Sequence, residues 1–118
     1  MVRPPRQYQV EWTEAASTDL SAVVDYIARE AIEPALRLLD CLEARGNSLE
    51  DHPRRGRIVP EMSSIGLEQF RELIEAPYRL VYEIDEVTRR VNVLGVFDGR
   101  RNFPELLRRR LRLVGIPK

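Results

Sequence analysis

Three consecutive segments between residues 69 and 97 carry the alternation that most narrows the fold. Residues 69–74 hold Phe70, Leu73 and Ile74. Residues 78–84 place Tyr78, Leu80, Tyr82 and Ile84 on one side, as a half-buried strand does. Residues 91–97 place Val91, Val93, Gly95 and Phe97 on one side and Leu94 and Val96 on the other. Residues 85–90 read as the hairpin connection between the last two. Consecutive strands of this kind imply an antiparallel meander.

The residues before the meander follow other periods. Tyr8-Gln9-Val10-Glu11-Trp12 alternates like a strand. Thr13 then offers a helix N-cap, although Ala16 three residues on gives no capping box. Residues 14–31 carry Ala16, Leu20, Val23, Val24, Ile27 and Ala28 at helical spacing. Glu33-Pro34 restarts a second helix, with a stripe of Ala35, Leu38, Leu39, Leu42 and Leu49. The two make an αα-hairpin. His52-Pro53-Arg54-Arg55-Gly56-Arg57 breaks the helix as a loop. Residues 58–68 are weakly patterned, with Ile58 and Val59 opening a strand before Pro60. Asn102 or Phe103 before Pro104 starts a terminal helix whose face is Leu106, Leu107 and Leu111.

The order β-α-α-β-β-β-α predicts an α+β layer fold. It has an N-terminal strand, an αα-hairpin on one face of an antiparallel β-meander, and a short C-terminal helix. The first strand should join the sheet beside one of the later ones. A chain of 118 residues fits one domain, 1–118.

Several functions are disfavoured by composition. No apolar run approaches the roughly 20 residues of a membrane span, and the N-terminal stretch lacks the apolar core of a secretory leader. A cytoplasmic setting without membrane contact is therefore expected. One histidine, His52, and one cysteine, Cys41, cannot build a metal site, and no glycine-rich phosphate loop is present. No cofactor is expected. Cys41, beside Leu42, reads as a buried structural thiol. Ser63 and Ser64 with His52 are weak candidates for a hydrolase. His52 before a proline reads as a helix C-terminal cap.

The net charge is zero but unevenly spread. Residues 1–52 hold 5 arginines against 10 carboxylates, whereas residues 53–118 hold 13 arginines and one lysine against 9 carboxylates. Two faces of opposite sign are expected. On the strands, Arg71 and Arg79 should alternate away from the apolar face, and Arg100 and Arg101 directly follow the last strand. Converging, these four guanidinium groups would form an anion-binding surface. The terminal run Arg108-Arg109-Arg110 and Arg112 reads as a solvated helix face, with nucleic-acid binding as its rival. A sequence pI near 6.6 is low for a stand-alone DNA-binding protein.

The run His52-Pro53, Gly56-Arg57, Pro60-Glu61, Phe70-Arg71-Glu72-Leu73, Tyr78-Arg79-Leu80-Val81-Tyr82-Glu83 and Val91 through Arg101 resembles the RelE/ParE toxin family. Val10-Glu11-Trp12-Thr13-Glu14-Ala15-Ala16, with Asp19-Leu20 and Tyr26-Ile27, resembles that family's first strand and helix. The likeness spans roughly residues 7–107. It implies a growth-inhibiting toxin held inactive by a cognate antitoxin, as in plasmid stabilisation. Operator DNA would be met only through the antitoxin complex. RelE-like members cut mRNA on the ribosome, whereas ParE-like members inhibit DNA gyrase.

RNA cleavage needs charge stabilisation at the phosphate and a group that moves protons near neutrality. Arginine supplies the first and not the second. The segment 103–118 has no tyrosine or histidine, and Asp98 stands where many family members have histidine. Tyr82 is a possible donor, but its alternation puts it on the apolar face. The resemblance therefore favours the ParE-like reading, gyrase inhibition without a nuclease site. The RelE-like nuclease and a plain nucleic-acid binder remain as alternatives. The candidates for activity or target binding are Arg71, Arg79, Tyr82, Asp98, Arg100 and Arg101. An acidic partner segment opposite Arg71, Arg79 and Arg100 would suit the antitoxin.

Overall fold

The computed structural model describes residues 7–113, so the ends of the expected domain, 1–6 and 114–118, lie outside the described residues. Strand β1 (Gln9–Trp12) runs through Thr13 into helix α1 (Glu14–Ala28). The Thr13 hydroxyl accepts the Ala16 N–H at 3.1 Å and donates to the Val93 carbonyl at 2.9 Å. One side chain thus caps the helix, worth about 1 kcal/mol, and fastens it to the sheet. The helix stops short of residue 31, because Ala31 turns extended (φ −156°, ψ 122°) to reverse the chain. Helix α2 (Ile32–Asn47) then takes Pro34 in its first turn, where a missing N–H leaves nothing unpaired. Leu49, expected on this helix, is fully buried on the 3₁₀ turn Ser48–Glu50 that follows it.

The remaining elements are β2 (Arg57–Ile58), α3 (Pro60–Ser63), β3 (Phe70–Glu75), β4 (Tyr78–Asp85), β5 (Arg90–Asp98) and α4 (Phe103–Leu113). The helical turn α3 was not legible in residues 58–68; Val59 ends up as its buried N-cap rather than in a strand. The sheet order is β1-β5-β4-β3-β2, with β1 parallel to β5 and every other pair antiparallel. The first strand therefore joins beside the last one. In the β4–β5 turn, the Asp85 carboxylate accepts the N–H groups of Val87 and Thr88, and Arg89 takes the left-handed conformation at φ 55°.

The expected α+β architecture holds, with one correction. The sheet is covered on both faces. Leu73, Leu80, Tyr82, Val91, Val93 and Val96 pack on the αα-hairpin. Phe70, Val81, Leu94 and Phe97 pack on α3 and on Phe103, Leu107 and Leu111 of α4. Strict alternation on β5 also fails. Tyr82 pairs with Val93 but Val81 with Gly95, so Leu94 is the extra residue of a bulge. The bulge turns Val96 to the hairpin side and Phe97 to the α4 side, where its ring meets Phe103 edge-on at 5.7 Å.

The terminal arginine run is a solvated face only in part. Arg109 and Arg112 are well exposed, but the Arg110 side chain keeps 15% exposure. Arg110 neighbours Leu111 and follows Leu107 by three, so it edges the buried face of α4. Its Nη1 and Nη2 reach the Asp19 carboxylate of α1 at 2.6 and 2.9 Å, and Nη1 also donates to the Leu94 carbonyl. Asp19 further accepts the Val96 N–H at 3.0 Å. One carboxylate thereby joins α1, β5 and α4. Replacing Asp19 with alanine strands a largely buried guanidinium, and a loss of about 3 kcal/mol is expected. It should read as a lower urea midpoint at unchanged slope, with exposed Asp25→Ala as the control; equal midpoints for Asp19→Ala and the parent would contradict the assignment.

Candidate functional site

The four arginines singled out from the sequence do not converge. Arg71 on β3 lies opposite Tyr82 on β4, so its side chain shares the face of the αα-hairpin. Arg79 lies opposite Ile74, on the face covered by α4. The cause is simple pairing. With Leu73 opposite Leu80, Arg71 and Arg79 fall on opposite sides of the pleat. Arg71 donates from Nη1 to the Gly56 carbonyl at 2.8 Å, at the loop before β2.

Arg79 is the centre of a buried ionic network. Its Nε and Nη2 donate to the two Glu72 oxygens at 2.6 and 2.9 Å. Its Nη1 and Nη2 donate to the two Glu61 oxygens at 3.0 and 2.8 Å. The guanidinium also lies over the Phe103 ring, 3.6 Å from its centroid. Four of the five N–H groups an arginine owns are thus engaged within the protein. Glu72 is 1% exposed, and it is tolerated there because Arg57, its cross-strand partner, supplies a further bond at 2.8 Å. These carboxylates hold the Arg79 charge firmly, raising its pKa, while the bonds from Arg79 hold the Glu61 carboxyl below its usual 4.5.

Glu61 and Glu72 were quoted in the family-like run but not recognised as partners of Arg79. A signal existed for Glu72. It alternates with Phe70 on β3, which puts a carboxylate on an apolar face. No such signal marked Glu61, because α3 itself was not foreseen.

Tyr82 is fully buried. Its hydroxyl donates to the Pro53 carbonyl at 2.7 Å and accepts the Gly56 N–H at 2.9 Å. It therefore ties down the arginine-bearing loop 53–57, and burial pushes its pKa up. Gly56 is required at this approach, since a Cβ there would lie 2.5 Å from the Glu72 carbonyl oxygen and 2.7 Å from the Tyr82 hydroxyl. Asp98 accepts the backbone N–H and two side-chain N–H groups of Arg100, which hold its carboxyl low. Arg101 is exposed and has no ion pair among the described residues.

The weaker candidates resolve plainly. Ser63 bonds to Glu68 and Ser64 to the Glu61 carbonyl, and neither is joined to His52. His52 sits exposed just past the 3₁₀ turn, its N–H on the Ser48 carbonyl. Cys41 is partly exposed rather than buried, and what burial it has, with the adjacent Glu75, raises its thiol pKa. No helix among the described residues is long and apolar enough to cross a membrane.

The family model of the ParE toxin of the type II toxin–antitoxin system parDE matches residues 10–103. The chain belongs to the ParE toxin family. A curated relative, Toxin RelE2 of Caulobacter vibrioides, is 35% identical over 69 residues, 58% of this chain and 70% of its own length. Two solved structures share the fold. The toxin–antitoxin complex RelBE2 of Mycobacterium tuberculosis matches at 24% identity and a TM-score of 0.56, over 79% of this chain and 92% of its own. The chromosomal ParDE system of P. aeruginosa matches at 20% identity and a TM-score of 0.62, over 78% of this chain and 96% of its own. The ParE-family match contains the whole Arg57–Glu61–Glu72–Arg79 network and ends as α4 begins.

The network carries a pH dependence of fixed sign. A carboxyl whose folded pKa lies below 4.5 stabilises the fold above that value and loses the contribution as pH falls through the lowered pKa. The melting temperature should therefore drop as pH goes from about 6 to about 3, and Glu61→Gln should drop less steeply than the parent over that range. Parallel profiles for the two proteins would contradict the Glu61–Arg79 bond.

Proposed function

We propose that this chain is a growth-inhibiting toxin that acts by binding DNA gyrase rather than by cutting RNA, and that a cognate antitoxin neutralises it. Membership in the ParE toxin family supports the toxin reading. The complexes seen for both structural neighbours support an antitoxin partner. The expected cytoplasmic setting belongs with the same reading.

One observation carries the choice of mechanism. The arginine best placed in the sheet is already bonded to Glu72 and Glu61, so its fork is not free to clasp a phosphate. The proton-transfer groups fit no better. Tyr82 is sealed in the core, and Glu61 and Asp98 have lowered pKa values, which makes them weak bases near neutrality. A binder of gyrase needs a complementary surface and none of this chemistry. The second reading, ribosome-dependent mRNA cleavage, draws support from the likeness to Toxin RelE2.

Purified toxin titrated onto DNA gyrase in a supercoiling assay decides between them. The expected result is loss of supercoiling, with mRNA on toxin-treated ribosomes left intact. Unchanged supercoiling at saturating toxin, together with cut mRNA, would establish the nuclease instead.

A further inference from the structure

The separation of Arg71 from Arg79 leaves no common arginine face for an acidic partner, but a second basic surface exists. Between α1 and α4, at the end of β5, runs a groove of two lobes of about 390 and 430 Å³. Both lobes share Ala22 and Val23 of α1, Asp98 and Arg101, which makes them one continuous depression. Val23, Phe97 and Leu106 give it an apolar floor. Tyr26 borders one lobe at 69% exposure and Leu113 the other at 73%. Two large apolar side chains this exposed, flanking a groove, are what a partner's apolar residues would cover.

The charge of the rim selects the partner. The two carboxylates within the groove are already matched, Asp19 by Arg110 and Asp98 by Arg100. Arg101 has no ion pair among the described residues. On α4, the single carboxylate of Glu105 faces Arg108, Arg109 and Arg112 at 2.9, 3.4 and 3.7 Å. The described rim therefore carries a surplus of positive charge, all of it guanidinium, suited to forked bonds with carboxylates.

We infer that this groove receives an acidic, amphipathic segment of the antitoxin. Its apolar side chains would lie on Val23 and Leu106 between Tyr26 and Leu113, and its carboxylates would meet Arg101 and Arg109. The inference rests on the antitoxin-neutralised reading above and not on the choice of gyrase as target. Association should weaken with added salt, as charge-steered binding does. The acidic balance of residues 1–52 disfavours the αα-hairpin's own outer surface for the same segment.

The test uses overlapping peptides spanning the antitoxin encoded beside this chain, titrated calorimetrically onto the full-length toxin. An acidic peptide should bind, and Arg101→Glu with Arg109→Glu should weaken it more than tenfold. Ala22→Trp, which fills the groove from an exposed position, should do the same without changing charge. Arg37→Glu, exposed on α2, should leave binding unchanged. Amide exchange on the parent protein should show new protection at residues 22–26 and 97–101 when the peptide is bound, a readout independent of any variant. Unchanged affinity in both groove variants, equal weakening by Arg37→Glu, or protection elsewhere overturns the site. If neither the peptides nor the intact antitoxin bind the parent, the antitoxin-neutralised reading falls and this site with it.

Discussion

The pair formed by Arg79 and Glu72 sets the terms for the second face of the sheet. A carboxylate at 1% exposure is costly unless opposite charge and hydrogen bonds surround it. Arg79 and Arg57 provide both, and Glu61 completes the valence of Arg79 from α3. The position of α3 and the start of α4 follow from this. Glu61 must reach the guanidinium from one side, while Phe103 lies over its face. An ionic cluster of two arginines and two glutamates thereby organises a layer that apolar packing alone would place less specifically.

The other face is built by more ordinary means. Alternating apolar residues of β3, β4 and β5 meet the stripes of α1 and α2, and the Thr13 cap ties the first helix to β5. Between the two faces, Asp19 and Arg110 bridge the helical layers around the end of β5. These two ionic devices leave different residues available for partners. The arginines that structure consumes are Arg79 and Arg110. Those it leaves exposed lie on loop 53–57, at Arg101 and along α4.

Most of the fold was legible in the sequence, for reasons that particular residues make plain. Tyr78, Leu80, Tyr82 and Ile84 do share one face of β4, and the helical stripes do define the hairpin. The strand at Gln9–Trp12 could be expected from its alternation, but its parallel pairing with β5 could not. The second covered face was hidden by reading one side of each strand. Leu94 was the warning, since Val93-Leu94-Gly95-Val96-Phe97 is nearly continuous in apolar character, as strands buried on both sides are. The bulge that sorts these residues depends on cross-strand register, which one strand cannot report. The candidate site was less legible. Residue type identified Arg71, Arg79, Arg100 and Arg101, but sheet parity decided which of them meet, and parity put Arg71 and Arg79 back to back.

The central claim is that Arg79 holds the fold and does not handle phosphate. The direct measurement is growth arrest by the double variant Arg79→Met, Glu72→Leu, with its stability measured alongside. Replacing a buried ion pair by apolar residues of similar size is often neutral for stability, whereas removing one partner alone costs about 3–5 kcal/mol. Glu61 and Arg57, left behind, keep enough exposure to be solvated. The account predicts a double variant more stable than either single variant and still able to arrest growth. A stably folded double variant that has lost toxicity would contradict it, and would return Arg79 to the chemistry of the target.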